Sequence, residues 1–399
     1  MITYPLLKDV QDLHGKRVLL RAGFDVPIEN GVVADSTRVE ALLPTMRFVL
    51  KAGASLVILS HQGRPQGRID PAFTQKPLVP ILEKLLKTDV QFASSCTGRE
   101  TLDMAMKLSP GNVLLLENLR YDPREEKNDA AFGLELAALG DVYVNDAFTN
   151  CHRAHASMVR LPALLPAYMG FQLAEEVSHL SKVLEDPRRP LTLIVSGAKM
   201  ETKVPVVEYF LSSGDDILLG GAIANTFIAA SGFDVGKSKY EKEMVNRARQ
   251  LMLQSKQQSG ATIHLPSDVV VANEASESAS TRNLLLKDVA GDMSIFDVGT
   301  ATIKKYTSLI RASRTIIWNG PLGLYELQNF SDGTKQIAEA VQAATKSGAF
   351  SVIGGGDTID FHTRYGYELS AYSFVSTGGG AMLEFVSGKP LPALEALAA

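Results

Sequence analysis

The sequence predicts an α/β protein of two lobes, each a parallel sheet flanked by helices, joined by a connecting helix with a hinge. Three observations support this prediction. Nine apolar runs, bounded by glycine and polar residues, are typical of parallel strands buried on both faces. Segments of helical period lie between these runs, so that strand and helix alternate along the chain. With 399 residues and 45% apolar content, the chain is too long for one core.

The first four apolar runs lead to cationic side chains. The runs RVLLR, SLVILSHQGR, NVLLLENLR and VYVNDAF deliver Arg21, His61, Arg64, Arg120 and Arg153. Open α/β sheets bind ligands outside the carboxyl ends of their strands, so we expect these residues and Arg38 to converge on one rim. A guanidinium binds phosphate or carboxylate through two parallel hydrogen bonds. One such arginine alone would be an ordinary surface residue, but five at successive strand ends predict a site for a small polyanion.

The last five runs lead to glycine instead. They are LTLIVSGAK, DILLGGAIAN, RTIIWNGPLG, FSVIGGGDT and YSFVSTGGG. Glycine lets backbone N–H groups approach a phosphate, and a following helix N-terminus adds a favourable dipole, although tight turns without a ligand also use glycine. Lys199 and Lys203 lie one helical turn apart and are placed to reach nucleotide phosphates. Asp357, directly after three glycines, is placed to meet Mg²⁺, which prefers one or two carboxylates plus substrate phosphates.

The helical segments and prolines suggest where the lobes divide. Helical period is visible at Ser36–Leu50, Lys76–Leu86, Asp129–Leu139, Lys203–Leu211, Glu241–Gln257 and Thr334–Thr345. The polar stretch 173–190 ends in EDPRRP, and prolines stop a helix, so it predicts the connecting helix. We therefore expect a first lobe at 1–172 and a second at 191–387. The tail 388–399 is rich in Pro and Ala, and packing on the first lobe and packing elsewhere both remain open.

Charge and cysteine content argue against several classes of function. The net charge of −4, without any Lys/Arg block, gives no general attraction to nucleic acid or membrane. Cys96 and Cys151 cannot make a disulfide framework and lack metal-type spacing with histidine. No stretch reaches the roughly 20 apolar residues of a membrane span, and the N-terminus lacks a signal-peptide pattern. These features predict a cytoplasmic protein with small-molecule partners.

The residues at the strand ends also carry a family resemblance. The chain resembles phosphoglycerate kinase from its first strand to its last turn. The matching segments are RAGFDVP (21–27), DSTR (35–38), SHQGRP (60–65), LLLENLRY (114–121), VNDAF (144–148), HRAHAS (152–157), SGAKMETK (196–203), GGAIANTF (220–227), DVGKS (234–238), LPSDVVVA (265–272), WNGPLGLYE (318–326), GGGDT (354–358) and STGGGAMLEF (376–385). The resemblance implies two Rossmann-like lobes, a monomer, and a reversible transfer of phosphoryl from 1,3-bisphosphoglycerate to ADP with Mg²⁺.

The resemblance also implies roles for individual residues. It places the phosphoglycerate in the first lobe, on Arg21, Gly23, Phe24, Asp25, Arg38, His61, Gln62, Gly63, Arg64, Arg120 and Arg153. It places Mg-ATP or Mg-ADP in the second lobe, on Gly197, Lys199, Lys203, Gly220, Asn319, Pro321, Glu326, Gly355, Gly356, Asp357 and Thr358. Within these sets Glu326 would bind the ribose and Asp357 the metal. Arg38, Lys199 and Gly379, the centre of Gly378–Gly380, would serve catalysis.

The chain departs from the family pattern in the first substrate loop. The family usually has Asp-x-Asn where this chain has Gly23 and Asp25, and the family aspartate is expected to meet the 2-hydroxyl of the substrate. Losing such a partner can cost ~1–3 kcal/mol, so substrate affinity is in question. The other departures are Ser196, Glu201, Gln62, Thr149, Asn150 and Cys151, and most of them are expected to be neutral.

Three functions follow from these patterns. The first is an active phosphoglycerate kinase. The second is a related acyl-phosphate kinase with a different acid preference, because Gly23 and Asp25 reshape the pocket. The third is a non-catalytic nucleotide-binding homologue, which the presence of Arg38, Lys199 and Asp357 argues against.

Overall fold

The structure, a computed structural model, describes residues 4–257 and 260–398. The chain divides into two compact units, unit 1 (Met1–Ser178 with Pro390–Ala399) and unit 2 (His179–Lys389). The division falls within a single helix, Phe171–Glu185, which covers most of the predicted connecting segment. Each unit contains its own parallel sheet.

Unit 1 is built on a six-stranded parallel sheet. Its strands and a small hairpin are β1 (Arg17–Ala22), β2 (Ile28–Glu29), β3 (Val32–Val33), β4 (Ser55–Leu59), β5 (Val90–Ala93), β6 (Val113–Leu116), β7 (Val142–Asp146) and β8 (Ala167–Met169). The sheet order is β5-β6-β4-β1-β7-β8, while β2 and β3 pair with each other in antiparallel fashion. Because β1 lies between β4 and β7, the chain changes direction across the sheet there, which is where open α/β sheets form a ligand crevice.

Helices cover the sheet of unit 1. They are α1 (Thr37–Glu40), α2 (Leu43–Lys51), α3 (Val79–Leu86), α4 (Arg99–Met106), α5 (Pro123–Glu126), α6 (Ala130–Ala137), α7 (Ala156–Val159), α8 (Leu161–Leu164) and α9 (Phe171–Glu185). Apolar side chains of β1 and β4, such as Leu20 and Ile58, pack with Met46 and Leu82 of the helices in one fully buried cluster. Burial on this scale is the main source of stability for such a layer.

Unit 2 contains a second six-stranded parallel sheet and a smaller antiparallel one. Its strands are β9 (Leu191–Val195), β10 (Asp216–Leu219), β11 (Thr262–His264), β12 (Asp268–Ala272), β13 (Arg282–Leu285), β14 (Ser294–Val298), β15 (Thr315–Asn319), β16 (Phe350–Gly354) and β17 (Phe374–Ser376). The parallel order is β11-β10-β9-β15-β16-β17, and the antiparallel order is β13-β12-β14. β9 lies between β10 and β15, so the chain changes direction across this sheet at β9.

Several helices of unit 2 start at the glycines that follow its strands. The helices are α10 (Val204–Ser213), α11 (Gly221–Ala230), α12 (Val245–Gln257), α13 (Thr300–Ala312), α14 (Asp332–Lys346), α15 (Gly356–Tyr365) and α16 (Gly380–Val386), and a last helix, α17 (Pro392–Ala398), belongs to unit 1. α11, α15 and α16 begin within four residues of the end of the preceding strand. The N–H groups of their first turns, which have no partner within the helix, therefore lie at the carboxyl edge of the sheet.

The fold prediction is confirmed, and all nine predicted runs form parallel strands. One predicted helix, Ser36–Leu50, is divided into α1 and α2, and Pro44 lies in the first turn of α2. Proline is favoured in a first turn, where its missing N–H costs nothing. Among the described residues, no helix is long and apolar enough to cross a membrane.

Candidate active site

The carboxyl edge of the sheet in unit 1 gathers several cationic side chains. Arg120 is buried and donates through Nη1 to the Gly63 carbonyl oxygen at 2.7 Å. Its Nε and Nη2 are also buried but have no hydrogen-bond acceptor among the described residues, although Glu126 Oε1 lies 3.4 Å from Nε. Burial, and then the charges of Arg153 and Arg21, lower the pKa of Arg120 to about 10. An anion that binds here would satisfy these donors and relieve the repulsion.

Three histidines lie near these arginines, and their pKa values are lowered first by burial and then by the neighbouring charges. Burial, followed by Arg21 and Arg120, holds the pKa of His61 well below its ordinary value. Burial and Arg153 lower the pKa of His152 to about 4, and burial and Arg21 lower that of His155 to about 3. The guanidinium groups of Arg21, Arg120 and Arg153 are therefore close enough to His61 to act on its charge.

Arg21 differs from its predicted role as a direct ligand, because its side chain is fully buried. It pairs in β1 with Leu59 on one side and Asn145 on the other. Its guanidinium donates to Ser157 Oγ at 2.9 Å and to the Ala22 carbonyl oxygen at 2.5 Å, and its Nη2 lies 3.2 Å from His61 Nδ1. In this conformation Arg21 orients His61 through its contact with Nδ1, and its guanidinium is not available to a ligand.

The loop after β1 is tied to the loop after β4. Asp25 Oδ1 accepts a hydrogen bond from Gly63 N at 2.8 Å, and its Oδ2 lies 3.7 Å from His61 Nε2. The Gln62 amide bonds both backbone groups of Val26, so it holds the two loops together. These contacts give Asp25 and Gln62 structural roles that the sequence did not reveal.

The other residues predicted for the phosphoglycerate site differ in exposure. Arg38 is exposed and donates through Nη1 to the Asp25 carbonyl oxygen at 2.6 Å, while Arg64 is exposed beside Gly63. Phe24 is fully buried in the apolar core, so a direct contact between its side chain and a ligand is not available. A Cβ added to Gly23 would lie 3.1 Å from Thr149 Oγ1, so glycine leaves room for that hydroxyl.

Unit 2 has a cleft of about 430 Å³ at the carboxyl edge of its parallel sheet. The predicted nucleotide residues that line it are Gly197, Pro321, Glu326 and Asp357. Val269, Phe296, Leu322 and Leu324 add an apolar lining. Apolar walls with few polar groups are typical of small-molecule sites, and this combination suits a planar heterocycle joined to a polar group.

Beside the cleft, a lysine is partly buried against polar groups. Lys203 Nζ donates to Asn319 Oδ1, and Asn319 Nδ2 donates to the Gly354 carbonyl oxygen at 2.8 Å. Burial lowers the pKa of Lys203 to about 8, an effect that Asp357 opposes. Lys199, four residues earlier, is exposed. Lys203 and Asp357 therefore lie close enough to interact, as a shared phosphate and metal site requires.

Two glycines at helix starts adopt conformations that other residues avoid. Gly379 precedes α16 with φ 51° and ψ −113°, and Gly355 precedes α15 with φ 102° and ψ 139°. Any side chain there would be strained. Open space surrounds the Cβ direction of Gly379 and of Gly356, so a ligand has access to the backbone at these positions.

Other predicted nucleotide residues lie behind the surface. Thr358 is fully buried, accepts from Gly320 N at 2.8 Å and donates to the Gly354 carbonyl oxygen at 3.0 Å. A Cβ on Gly220 would come within 3.0 Å of Ser196 Oγ and of Leu322. The Thr358 side chain therefore supports the loops after β15 and β16 and is not available to a ligand. Gly220 allows close packing.

Comparisons with known proteins identify the family of this chain. The phosphoglycerate kinase family model matches residues 7–389. A curated phosphoglycerate kinase from Chloroflexus aurantiacus is 43% identical over 394 residues, or 98% of each chain, and one from Methylorubrum extorquens is 43% identical over the full length of both. The chain belongs to the phosphoglycerate kinase family. This confirms the resemblance drawn from the sequence motifs.

Solved structures of the family share the fold. The structure of phosphoglycerate kinase from Coxiella burnetii aligns with a TM-score of 0.89 at 37% identity and covers 99% of each chain. The structure from Pyrococcus horikoshii aligns with a TM-score of 0.84 at 31% identity and covers 98% of each chain. Phosphoglycerate kinases are phosphotransferases, so the prediction of an enzyme is confirmed, and neither alternative function is favoured.

Sequence reasoning missed part of the cleft. Lys237 and Lys239 line it, as do Asn225 and Tyr325. Lys237 belongs to the segment DVGKS, which supported the resemblance to phosphoglycerate kinase but received no role. Its signal was present as a motif, and Tyr325 likewise lies within the segment WNGPLGLYE (318–326) but received no role.

Proposed function

We propose that this chain transfers a phosphoryl group reversibly from the acyl phosphate of 1,3-bisphosphoglycerate to ADP, giving 3-phosphoglycerate and ATP. The observation that carries this proposal is Arg120, a buried guanidinium whose Nε and Nη2 have no hydrogen-bond acceptor in the described part of the chain, with the Glu126 carboxylate 3.4 Å from Nε. A buried charge of this kind is costly unless a ligand completes its hydrogen bonds. The ring of cations around it suits an acid that carries both phosphate and carboxylate.

In unit 1 we assign phosphoglycerate binding to residues that offer donors at the carboxyl edge. They are Arg38, His61, Arg64, Arg120 and Arg153. Arg21 contacts and positions His61, Gln62 and Asp25 join the loop after β1 to the loop that carries Gly63, and Arg38 of α1 donates to the Asp25 carbonyl oxygen. A fixed set of donors lowers the entropy cost of binding and orients the reacting carboxylate.

In unit 2 we assign the nucleotide to the cleft. Lys203 binds a phosphate, Glu326 bonds the ribose, and Gly197, Pro321 and Asn319 shape the floor. Lys199, which is exposed, neutralises the charge that develops on the transferring phosphoryl group. The backbone N–H groups near Gly379 and Gly356 add donors, because helix N-termini favour anions.

Mg²⁺ is the metal that this site fits best. Asp357 is exposed in the first turn of α15, and within the described ranges no group of three His, Cys, Asp or Glu side chains forms a metal cluster. Mg²⁺ commonly takes one or two protein carboxylates and completes its shell with phosphates and water. When bound at Asp357, it would neutralise phosphate charge.

The chemistry needs no general base. The acceptor in the reverse direction is a carboxylate, which is ionised at pH 7 and attacks without losing a proton. Catalysis then depends on positioning and on charge neutralisation by Arg38 and Lys199. Because acyl phosphates hydrolyse readily, water must be excluded during transfer, and we propose a hinge motion about the connecting helix for this purpose.

We also propose that the protein acts in the cytoplasm and as a monomer. Free buried cysteines are compatible with a reducing compartment. The phosphoglycerate kinase resemblance implies a monomer, and sedimentation analysis tests that directly. A single species of about 43 kDa is the expected result.

A coupled assay with 3-phosphoglycerate and Mg-ATP tests the proposed function. Arg38→Ala and Lys199→Ala should each lower kcat by two to three orders of magnitude, roughly as measured for other electrostatic catalytic groups. Arg99→Ala, which removes a nearly fully exposed arginine of unit 1, is the matched control and should behave as the unmodified chain. Binding of ADP without any turnover by the unmodified chain would contradict the proposal.

A further inference from the structure

Gly23 and Thr149 lie at the ends of two neighbouring strands and share one space. Gly23 follows β1 and Thr149 follows β7, and these strands pair in parallel. A Cβ on Gly23 would lie 3.1 Å from Thr149 Oγ1 and 3.3 Å from the Ala147 Cα. The second contact is with backbone, which yields less easily than a side chain. Thr149 therefore fills the volume that a side chain at position 23 would use.

Position 23 favours glycine because neighbouring atoms leave little room for a side chain, and not because of its backbone conformation. Gly23 has no φ in the left-handed region, so an L-residue could adopt its backbone angles. The nearest atoms that a side chain at this position would meet belong to Thr149 and Ala147. The Thr149 hydroxyl, in the loop after β7, therefore occupies space that a side chain at position 23, in the loop after β1, would use.

The Thr149 hydroxyl is oriented as a hydrogen-bond acceptor. Thr149 Oγ1 donates to Asn150 Oδ1 at 3.1 Å, and Asn150 is buried and therefore fixed. With its proton engaged, the hydroxyl oxygen still has two lone pairs that can accept from a donor in the pocket. Thr149 itself is only partly buried, so a ligand has access to it.

We propose that Thr149 is a specificity-determining residue that accepts a hydrogen bond from the 2-hydroxyl of the phosphoglycerate, in the place of a side chain at Gly23. This inference rests on the proposed function, because it assigns one contact within the same substrate site. It also gives a role to Thr149, one of the six departures from the family pattern of which the sequence suggested that most were neutral. The chain keeps an acceptor for the 2-hydroxyl and moves it from one loop to the next.

The first test compares two acids in steady-state kinetics. The substrates are 3-phosphoglycerate and 3-phosphonooxypropanoate, which is the same acid without the 2-hydroxyl. Thr149→Val keeps the volume of the side chain and removes the hydroxyl, so KM for 3-phosphoglycerate should rise roughly threefold to tenfold with kcat nearly unchanged. KM for 3-phosphonooxypropanoate and for ATP should not change. Thr149→Ser, which retains the hydroxyl, should keep the preference of the unmodified chain for 3-phosphoglycerate.

The second test exchanges the two positions. Gly23→Asp alone should lower kcat/KM for 3-phosphoglycerate at least tenfold, because the new side chain meets Thr149. Gly23→Asp with Thr149→Gly should recover part of that loss, since the contact with the Ala147 backbone remains, and the non-additivity would mark two residues in contact. Circular dichroism and thermal melting confirm that each variant is folded before its kinetics are interpreted.

The outcomes separate this inference from the proposed function. If the unmodified chain phosphorylates 3-phosphoglycerate and Thr149→Val keeps the same ratio of kcat/KM between the two acids, Thr149 does not contact the 2-hydroxyl. Equal losses with both acids would likewise overturn the inference, since they indicate a general effect on the loop. If the unmodified chain phosphorylates neither acid, the proposed function itself is wrong.

Discussion

At the scale of single residues, Arg120 shows how a binding group is maintained at a cost to the free protein. Its guanidinium is buried with two unsatisfied nitrogens, an arrangement that an apolar side chain would avoid. Such residues are expected where a ligand completes the hydrogen bonds. The same reasoning places Arg21, whose donors already have protein partners, in a supporting position.

Replacing Arg120 by methionine should separate binding from stability. We expect KM for 3-phosphoglycerate to rise at least tenfold, because hydrogen bonds to charged groups contribute about 1.5–3 kcal/mol. The free energy of unfolding without ligand should change by less than about 1 kcal/mol, since a buried charge is removed as well as a bond. Denaturant titration and kinetics check both values, with Arg99→Met as the control. Strong destabilisation with an unchanged KM would show that Arg120 is structural.

Asp25→Asn should improve substrate binding. The amide oxygen of asparagine can still accept the hydrogen bond from Gly63 N, and asparagine tolerates the positive φ of 37° at this position. The change removes one negative charge from a site for an anion, so KM for 3-phosphoglycerate should fall about twofold to fivefold with kcat preserved. Asp25→Ala, which loses the bond to Gly63, should raise KM instead. A higher KM for Asp25→Asn would mean that the carboxylate charge assists binding.

Lys203 should give nucleotide binding a distinctive pH dependence. Its pKa of about 8 lies below the ordinary 10.5, so raising the pH through 8 removes the charge that binds phosphate. We expect calorimetry to show ADP affinity falling between pH 7 and 9, and Lys203→Arg, which stays charged, to flatten this profile. For folding the sign is opposite: between pH 8 and 10.5 the unfolded chain binds more protons, so Lys203 makes stability rise with pH. Identical binding profiles for both proteins would refute the assignment.

At the scale of elements, the start of α9 depends on a buried carboxyl group. Asp146 Oδ1, at the end of β7, accepts a hydrogen bond from Leu173 N at 2.8 Å, and Thr45 Oγ1 accepts one from Phe171 N at 2.9 Å. Burial raises the pKa of Asp146 to about 7. These two acceptors satisfy N–H groups that the first turn of a helix leaves free.

Asp146→Ala should therefore destabilise the protein by about 1–2 kcal/mol, the usual cost of losing an acceptor at a helix start. Asp146→Asn keeps an acceptor of the same shape and avoids a buried charge, so it should unfold within about 0.5 kcal/mol of the unmodified chain near pH 8. Urea denaturation measures both. If alanine and asparagine are equally harmful, the hydrogen bond to Leu173 is not what matters.

The sequence predicted the continuous apolar strands well and the interrupted ones poorly. All nine long Val/Ile/Leu runs are strands, because burial on both faces leaves an unbroken apolar signal. The short strands β5, β8 and β11 and the antiparallel sheet of β12, β13 and β14 were not predicted. β5 reads VQFA and β13 reads RNLL, so their pairing comes from the neighbouring strands and not from their own composition.

The sequence predicted a site at the carboxyl edge of the sheet but not the contacts of each side chain. Strand-end position predicted positive charge around His61 and Arg120, yet it could not show that Arg21 is still paired on both sides and donates to Ser157 of α7. Nor could sequence spacing reveal that Thr149 and Gly23 meet, because they are more than a hundred residues apart. Such contacts depend on the order of strands in the sheet.

At the scale of the whole molecule, we propose that each unit binds one of the two reactants of the phosphoryl transfer. Unit 1 has a cationic edge that suits a phosphorylated acid, and unit 2 has a cleft with Lys203 and Asp357 that suits a nucleotide. Neither site alone accounts for the transfer reaction. The family membership of the full chain, with coverage of 98% to 100% in its relatives, joins the two into one enzyme.

The central claim is that the phosphoryl group passes directly between the acid and the nucleotide. Phosphorus NMR of the purified chain with 1,3-bisphosphoglycerate and Mg-ADP tests it most directly, because each phosphate has its own resonance and transfer to ADP is the favourable direction. We predict that the acyl-phosphate signal decreases as signals of ATP and 3-phosphoglycerate appear in equal amounts, with no more inorganic phosphate than forms without the protein. Release of inorganic phosphate without any ATP, or a spectrum that changes no faster than without the protein although the protein binds ADP, would contradict the account.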